Sequence, residues 1–120
     1  MSTHKSILLV DDSQFMRNYL KNLILKHCKY EFIEGSNGHD GIRLYKEHQP
    51  DITIMDITMP HLNGIAALTE IMKYDQHAKV IICSSLGEKT LLMEAIQLGA
   101  VDFIVKPYFN NLISVLNTLS

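Results

Sequence analysis

The sequence predicts an α/β fold in which five parallel strands form one open sheet with helices on both faces. Short apolar runs alternate five times with longer segments of helical period, which is the pattern of strand and helix units. Parallel neighbours need crossover connections, and these are right-handed. The chain has 120 residues, which suits one domain, and its short connections favour the strand order 2-1-3-4-5 known for doubly wound sheets.

The first unit is a buried strand followed by an amphipathic helix. Residues 7–10 are apolar and β-branched at both ends, as in strands that are covered on two faces. Ser13 is placed to cap the next helix, whose apolar residues recur at helical spacing. That stripe consists of Phe15, Met16, Tyr19, Leu20, Leu23 and Ile24.

Glycine and proline separate the second and third units. Residues 32–35 form a weaker strand, and an Asn-Gly pair introduces a helix over residues 38–46. Residues 52–55 form the third strand, and Pro60 and Gly64 mark the loop after it. The third helical stripe consists of Ile65, Leu68, Ile71 and Met72.

The last two units follow the same pattern. Residues 80–83 form the fourth strand, and Gly99 is placed to end the helix after it in a left-handed conformation. Val101 and residues 103–105 form the fifth strand, and residues 108–120 form a last helix. The stripe of the fourth helix consists of Leu91, Leu92, Ala95, Ile96 and Leu98.

Composition and charge exclude several classes of function. Hydrophobic residues make up 47% of the chain and charged residues 20%, which is the balance of a folded domain. The net charge is −2, and no basic cluster suits a nucleic-acid backbone. The longest apolar runs have four residues, so we expect a cytoplasmic protein without a membrane or nucleic-acid partner. The two cysteines lack CxxC spacing and the six histidines lack HExxH spacing, which argues against a disulfide framework and a zinc site.

Polar side chains follow four neighbouring strands at their carboxyl ends, where doubly wound sheets bind ligands. Asp11 and Asp12 follow strand one, Asp56 follows strand three, Ser84 follows strand four and Lys106 follows strand five. Three carboxylates against one ammonium leave an excess of negative charge, and like charges in a cleft repel. A hard divalent cation relieves this repulsion, and Mg²⁺ suits an all-oxygen site better than zinc.

These groups are the parts that phosphoryl transfer needs, namely a nucleophile, a metal bridge and a cationic clamp. Asp56 is the candidate nucleophile, because it stands alone on the central strand and aspartate is a known covalent acceptor of phosphate. Asp11 and Asp12 can hold the ion directly or through water. Ser84 can donate its hydroxyl to one phosphoryl oxygen, and Lys106 can pair with another.

Each of these signals alone also has an ordinary structural explanation. An acid pair before a helix caps it and interacts with its dipole, and a lone Asp after a strand forms a turn. The coincidence of acids, hydroxyl and lysine at one edge of one predicted sheet favours a site.

The blocks around this edge identify a family. In order along the chain they are ILLVDDS, PDITIMDITMPHLNG, VIICSS and GAVDFIVKP. By these blocks the sequence resembles, over residues 1–120, the receiver domain of two-component response regulators, and most of all its single-domain, CheY-like chemotaxis type. The resemblance implies a flavodoxin-like fold.

The resemblance also implies roles for individual residues. Asp56 corresponds to the phosphoacceptor, Asp11 and Asp12 to the magnesium acids, and the main-chain carbonyl of Thr58 to a further magnesium ligand. Lys106 corresponds to the lysine of the family's site.

Other positions match the family's switch. Ser84 matches the switch hydroxyl and Phe103 the switch aromatic, and the bond between Lys106 and Pro107 is usually cis in the family. In such proteins phosphate draws the hydroxyl inward and the aromatic rotates, which alters the surface around helix four, strand five and helix five.

The resemblance implies partners as well. A histidine kinase would donate the phosphoryl group, and a flagellar motor switch protein or another output protein would bind the phosphorylated form. The chain would not be an enzyme beyond its own phosphorylation and dephosphorylation. The last helix has no charged residue, which argues against dimers formed by ion pairs there and favours a monomer. A receiver domain that belongs to a larger regulator remains an alternative.

Two other classes fit less well. Phosphatases of the haloacid dehalogenase type combine Asp, Ser or Thr, Lys and Mg²⁺, but their nucleophile lies in a DxD pattern after the first strand. Flavodoxin-like electron carriers need a phosphate loop after strand one, and the acids of DDSQFM would repel that phosphate.

Three positions depart from the family's pattern. Ser84 replaces the more frequent threonine, which keeps the hydroxyl and loses a methyl group that restricts the rotamer. Thr58 and Leu86 stand where other members carry acid or amide side chains that orient attacking water. We expect an acid or amide at Leu86 together with Asn at Thr58 to shorten the aspartyl-phosphate lifetime, as measured by its decay rate with Mg²⁺.

Overall fold

The computed structural model describes residues 5–59, 62–85 and 88–119, in which five strands and five helices alternate along the chain. All strand pairs are parallel, and the sheet has the order β2-β1-β3-β4-β5. The predicted fold class and strand order are therefore confirmed. The elements are β1 (Ser6–Val10), α1 (Gln14–Leu25), β2 (Glu31–Gly35), α2 (Gly38–His48), β3 (Ile52–Asp56), α3 (Gly64–Tyr74), β4 (Val80–Ser84), α4 (Lys89–Leu98), β5 (Asp102–Val105) and α5 (Leu112–Leu119).

Two hydrophobic cores lie on opposite faces of the sheet. Alternate residues of β1 contribute to each, because successive side chains of a strand point to opposite faces. One core packs α2, α3 and α4 on the sheet, and the other packs α1 and α5 on it. Central strands β1, β3 and β4 are almost fully buried, which explains their continuous apolar runs.

The first three helices begin at side-chain caps. Ser13, Asn37 and Asn63 each accept a hydrogen bond from the main-chain N–H three residues later. The predicted cap at Ser13 is therefore confirmed. At the other end of α4, Gly99 has a φ of 116°, which confirms the predicted left-handed stop.

Several predicted boundaries are wrong; the second helix, for example, ends at His48 and not at residue 46. The last helix begins at Leu112 and not at residue 108, because Phe109 turns into the core and packs its ring 5.6 Å from the ring of Tyr19. The asparagines at 110 and 111 favour turns in this segment. Val101 lies one residue before β5 and not in it. Its N–H nevertheless donates to the carbonyl of Val80, the first residue of β4, at 2.9 Å.

Gly64 fixes α3 close to the end of β3. A Cβ atom at Gly64 would lie 2.3 Å from the main-chain oxygen of Asp56, which no side chain can tolerate. The N–H of Gly64 donates to the carbonyl of Ile57 at 2.9 Å across the same contact.

None of the helices in the described ranges combines the length and hydrophobicity that a bilayer crossing requires.

Candidate functional site

Three aspartates meet at the carboxyl ends of β1 and β3. Asp11, Asp12 and Asp56 each offer a carboxylate oxygen, and these oxygens all lie within 4.8 Å of one another. Asp11 is 4% exposed and Asp56 is 7% exposed, whereas Asp12 faces solvent. Two buried acids with an exposed third form a cleft that opens to water on one side.

Lys106 bridges the two buried acids. Its ammonium Nζ lies 2.9 Å from Asp11 Oδ2 and 3.3 Å from Asp56 Oδ2. Burial alone would lower the pKa of Lys106, but the two carboxylates outweigh it and raise that pKa. The lysine therefore stays charged. The peptide bond after it, to Pro107, is cis, as the resemblance implied.

One ammonium does not balance this edge. Burial raises the pKa of Asp56, Lys106 opposes the rise and the charge of Asp11 adds to it, with a raised pKa as the net result. The ionised form of Asp56 is thus incompletely stabilised, because Lys106 does not offset the combined effect of burial and of the neighbouring Asp11. Carboxylate oxygens in excess of their cations, at this spacing, form a donor set that fits a hard divalent ion such as Mg²⁺.

The main chain holds Asp11 and Asp56 in place. The N–H of Asp11 donates to the carbonyl of Gly35 at 3.1 Å, and Asp11 Oδ1 accepts from the N–H of Ser13 at 2.9 Å. Asp56 Oδ1 accepts from the N–H of Thr58 at 3.3 Å. The acids are thus oriented by backbone donors of the loops that begin at them.

Arg17 is a site residue that the sequence analysis missed. It is 9% exposed, and its guanidinium donates to the main-chain carbonyl of Asp11. It also donates from Nε to Glu34 at 2.9 Å and from a terminal nitrogen to Gln14 at 2.7 Å. The sequence does contain a signal for this role. Arg17 lies on the same buried face of α1 as Leu20 and Ile24, and a cation at a buried position needs hydrogen-bond or ion-pair partners.

The predicted switch residues lie on the next two strands of the sheet, Ser84 at the end of β4 and Phe103 within β5. Ser84 is fully buried, and its hydroxyl donates to the carbonyl of Ser85 at 3.2 Å. Within the described residues it makes no hydrogen bond to the three acids. Phe103 is 41% exposed and lines an apolar groove of about 480 Å³ between α4 and β5.

Thr58 is joined to a second residue that the sequence analysis missed. Its hydroxyl donates to Glu88 Oε2 at 2.6 Å, across the gap between the β3–α3 and β4–α4 loops. Glu88 lies 30 positions away along the chain, and no local sequence pattern predicts this contact. Leu86, where the sequence suggested a residue that orients water, lies outside the described residues.

Comparison with a family model and with solved structures agrees with this geometry. A model of the response regulator receiver domain matches residues 7–117. In the crystal structure of the CheX-CheY-BeF3-Mg complex from Borrelia burgdorferi, a chain superposes on this one with a TM-score of 0.84. The two are 34% identical, and the match covers 93% of this chain and 89% of that one.

Two relatives are chemotaxis proteins. CheY of Thermotoga maritima is 49% identical over 118 residues, which cover 97% of this chain and 98% of that protein. CheY of Bacillus subtilis is 47% identical over 102 residues, which cover 85% of each chain. Domains of this family are signalling modules of two-component systems. The chain therefore belongs to the response regulator receiver domain family, and within that family it is similar to the chemotaxis proteins called CheY.

Proposed function

We propose that this chain is a chemotaxis response regulator in which residues 1–120 form one receiver domain and Asp56 accepts a phosphoryl group from a histidine kinase. One observation carries the proposal, namely that Asp11, Asp12 and Asp56 converge to within 4.8 Å while Lys106 bridges two of them. This arrangement places a nucleophile, an acidic metal-binding set and a cation around one point, as phosphoryl transfer needs.

Asp11, Asp12 and Asp56 would hold Mg²⁺, and the main-chain carbonyl of Thr58 is a further candidate ligand from the resemblance. Bound Mg²⁺ neutralises charge on the phosphoryl oxygens during transfer. The Borrelia burgdorferi relative was crystallised with both Mg and BeF3, which supports this assignment.

Asp56 supplies the nucleophilic oxygen. That oxygen forms a bond to phosphorus, and the bond between phosphorus and the kinase's histidine nitrogen breaks, with its electron pair left on that nitrogen. Lys106, 3.3 Å from Asp56 Oδ2, is close enough to transfer its ion pair to a phosphoryl oxygen. Its ammonium thereby stabilises the charge that arrives, and the chain's catalysis is limited to its own phosphorylation and dephosphorylation.

Ser84 and Phe103 would couple the charge of the phosphoryl group to a change in the protein surface around them. The hydroxyl of Ser84 must leave the carbonyl of Ser85 to donate to a phosphoryl oxygen. Phe103 borders a groove that is lined by Leu92, Met93, Ile96 and Val105 and that can receive its ring. The phosphoryl group then biases an equilibrium between two arrangements of the surface formed by α4, β5 and α5.

The partners follow from the same proposal. A histidine kinase is the donor, and a flagellar motor switch protein is the candidate output partner, since the relatives at 47% and 49% identity are chemotaxis proteins. The Borrelia burgdorferi relative forms a complex with CheX, so a protein of that kind is another candidate. We further propose a cytoplasmic monomer.

Mass spectrometry after incubation with a small phosphodonor such as acetyl phosphate tests this function. Wild-type protein with Mg²⁺ should gain one phosphoryl group, and Asp56→Asn should gain none. Omission of Mg²⁺ should also abolish the gain. Phosphorylation of the Asp56→Asn variant to the wild-type extent would contradict the proposal.

A further inference from the structure

Glu88 connects two loops at the rim of the acidic cleft. It directly precedes α4, yet it makes no side-chain cap for that helix, in contrast to Ser13, Asn37 and Asn63 at the first three helices. Its Oε2 accepts from the hydroxyl of Thr58 at 2.6 Å, and its Oε1 accepts from the N–H of Ser85 at 3.0 Å. One carboxylate oxygen thus joins the β4–α4 loop to the β3–α3 loop, and the other fixes Ser85 within the β4–α4 loop itself.

Both partners of Glu88 are themselves bonded to the residues that phosphorylation would engage. The N–H of Thr58 donates to Asp56 Oδ1 at 3.3 Å. The carbonyl of Ser85 accepts from the hydroxyl of Ser84 at 3.2 Å, while its N–H donates to Glu88. Glu88 therefore fixes Ser85 in the arrangement in which the Ser84 hydroxyl is bonded to the main chain.

A phosphoryl group on Asp56 would disturb this arrangement. The aspartyl phosphate carries about 1.5 to 2 negative charges in place of the single charge of the carboxylate, and it brings three strong acceptor oxygens to the residue that Thr58 contacts. The carboxylate of Glu88, bonded to that same Thr58, would then stand near a like charge. It would also occupy the N–H of Ser85, the residue next to Ser84, which a phosphoryl oxygen could otherwise use.

We propose that Glu88 is a positioning residue that stabilises the unphosphorylated arrangement of the Thr58 and Ser85 loops and so weakens the binding of a phosphoryl group at Asp56. The proposal rests on the function proposed above. A residue that only supported the start of α4 would affect stability and leave the affinity of the site unchanged. The affinity for a phosphoryl analogue therefore separates the two roles.

The test uses beryllium trifluoride with saturating Mg²⁺, with bound fluoride measured by fluorine NMR on the whole chain. Glu88→Gln keeps the shape of the side chain and removes its charge, and we expect it to raise the association constant about tenfold. Glu88→Ala removes both hydrogen bonds as well and should raise the constant at least as much. Should Glu88→Gln fail to fold, Glu88→Ala carries the test.

Glu94 provides the matched control. It lies on α4 and lines the same cavity as Thr58 and Glu88, so Glu94→Gln removes an equal charge from the same neighbourhood without removing the hydrogen bonds. Its association constant should stay within about twofold of the wild-type value. An unchanged or lowered constant in the Glu88 variants, or an equal rise in Glu94→Gln, would overturn the inference. Failure of wild-type protein to bind the analogue would instead count against the proposed function.

Discussion

The two halves of the site's edge are held in different ways. In the acid half, formed by Asp11, Asp12, Asp56 and Lys106, the two buried carboxylates are bonded to the main chain and to the lysine. In the switch half, formed by Ser84, Ser85, Glu88 and Phe103, the aromatic is 41% exposed, and the side-chain hydrogen bonds of Ser84 and Glu88 join loop residues to one another.

This difference suits the two tasks of a receiver. Phosphoryl transfer needs reacting groups at fixed positions, because a small displacement of a reacting atom reduces the rate strongly. Signalling needs an element with two arrangements of similar free energy, which a small charge change can interconvert. The sheet supplies both at one edge. The three acids follow β1 and β3 and are joined there by Lys106 from the end of β5, whereas Ser84 ends β4 and Phe103 lies within β5.

The largest expected effect is that of Gly64→Ala on the acid half. The added methyl group would lie 2.3 Å from the main-chain oxygen of Asp56, so α3 or the proposed phosphoacceptor must move. We expect a loss of about 3 kcal/mol or more in the free energy of unfolding, measured with urea, and a loss of phosphorylation.

Gly41→Ala is the matched control for this change. Its Cβ would meet methyl groups of Val10 at 3.2 and 3.4 Å, contacts that a small side-chain shift relieves. A clearly smaller loss is expected. If the two substitutions destabilise equally, the close approach at Gly64 is not what fixes the acid half.

Arg17→Met should have the next largest effect. It keeps the apolar stem but removes the donor to the carbonyl of Asp11 and a partner of Glu34. We expect about 2 to 3 kcal/mol of destabilisation in urea unfolding and weaker Mg²⁺ binding by titration calorimetry. Lys21→Met removes the other cation from Glu34, at a more exposed position, and should cost at most about 1 kcal/mol with unchanged Mg²⁺ affinity. Equal effects of the two variants on Mg²⁺ binding would argue against a role of Arg17 in the site.

Phe103→Ala examines the switch half. Because the ring is 41% exposed and borders an open groove, we expect a loss of no more than about 1 kcal/mol in thermal unfolding. Its neighbour Ile104, on the same strand, is 4% exposed, so Ile104→Ala should cost about 3 kcal/mol. A loss for Phe103→Ala as large as that for Ile104→Ala would show that the switch half is as firmly packed as the core.

The smallest expected effect is that of Glu34→Gln on the loss of stability at low pH. The hydrogen bond from Lys21 lowers the pKa of Glu34, and burial opposes this. Arg17 lowers the pKa further, so that it lies below the ordinary value of 4.5. A depressed pKa in the folded state contributes stability that is present above about 4.5 and is lost as the pH falls through the folded value. Urea unfolding of Glu34→Gln should therefore depend less steeply on pH below 4.5 than that of wild type. Parallel profiles would exclude this ion pair as a source of acid sensitivity.

The sequence was sufficient for the fold and for the acids because both signals are local. All strands except β2 contain a short apolar run, and a polar residue of the predicted site stands at its end, as with Asp56 after 52–55 and Lys106 after 103–105. The topology then brings these ends together without any information on side-chain contacts.

The remaining features depend on contacts between distant segments. Glu88 bonds Thr58 across 30 positions, and Arg17 bonds Glu34 across 17, which no periodicity reveals. The late start of α5 likewise depends on the burial of Phe109 against Tyr19. The exposure of Phe103 likewise depends on the groove between α4 and β5, which the sequence of β5 alone does not predict.

The central claim is that the phosphoryl group forms its bond with Asp56. Reduction of the phosphorylated chain with borohydride converts an aspartyl phosphate to homoserine, which peptide mass spectrometry locates. We expect homoserine at position 56 and unmodified aspartate at positions 11 and 12. Homoserine at either of those positions, or at none of the three in a chain that has gained a phosphoryl group, would contradict the claim.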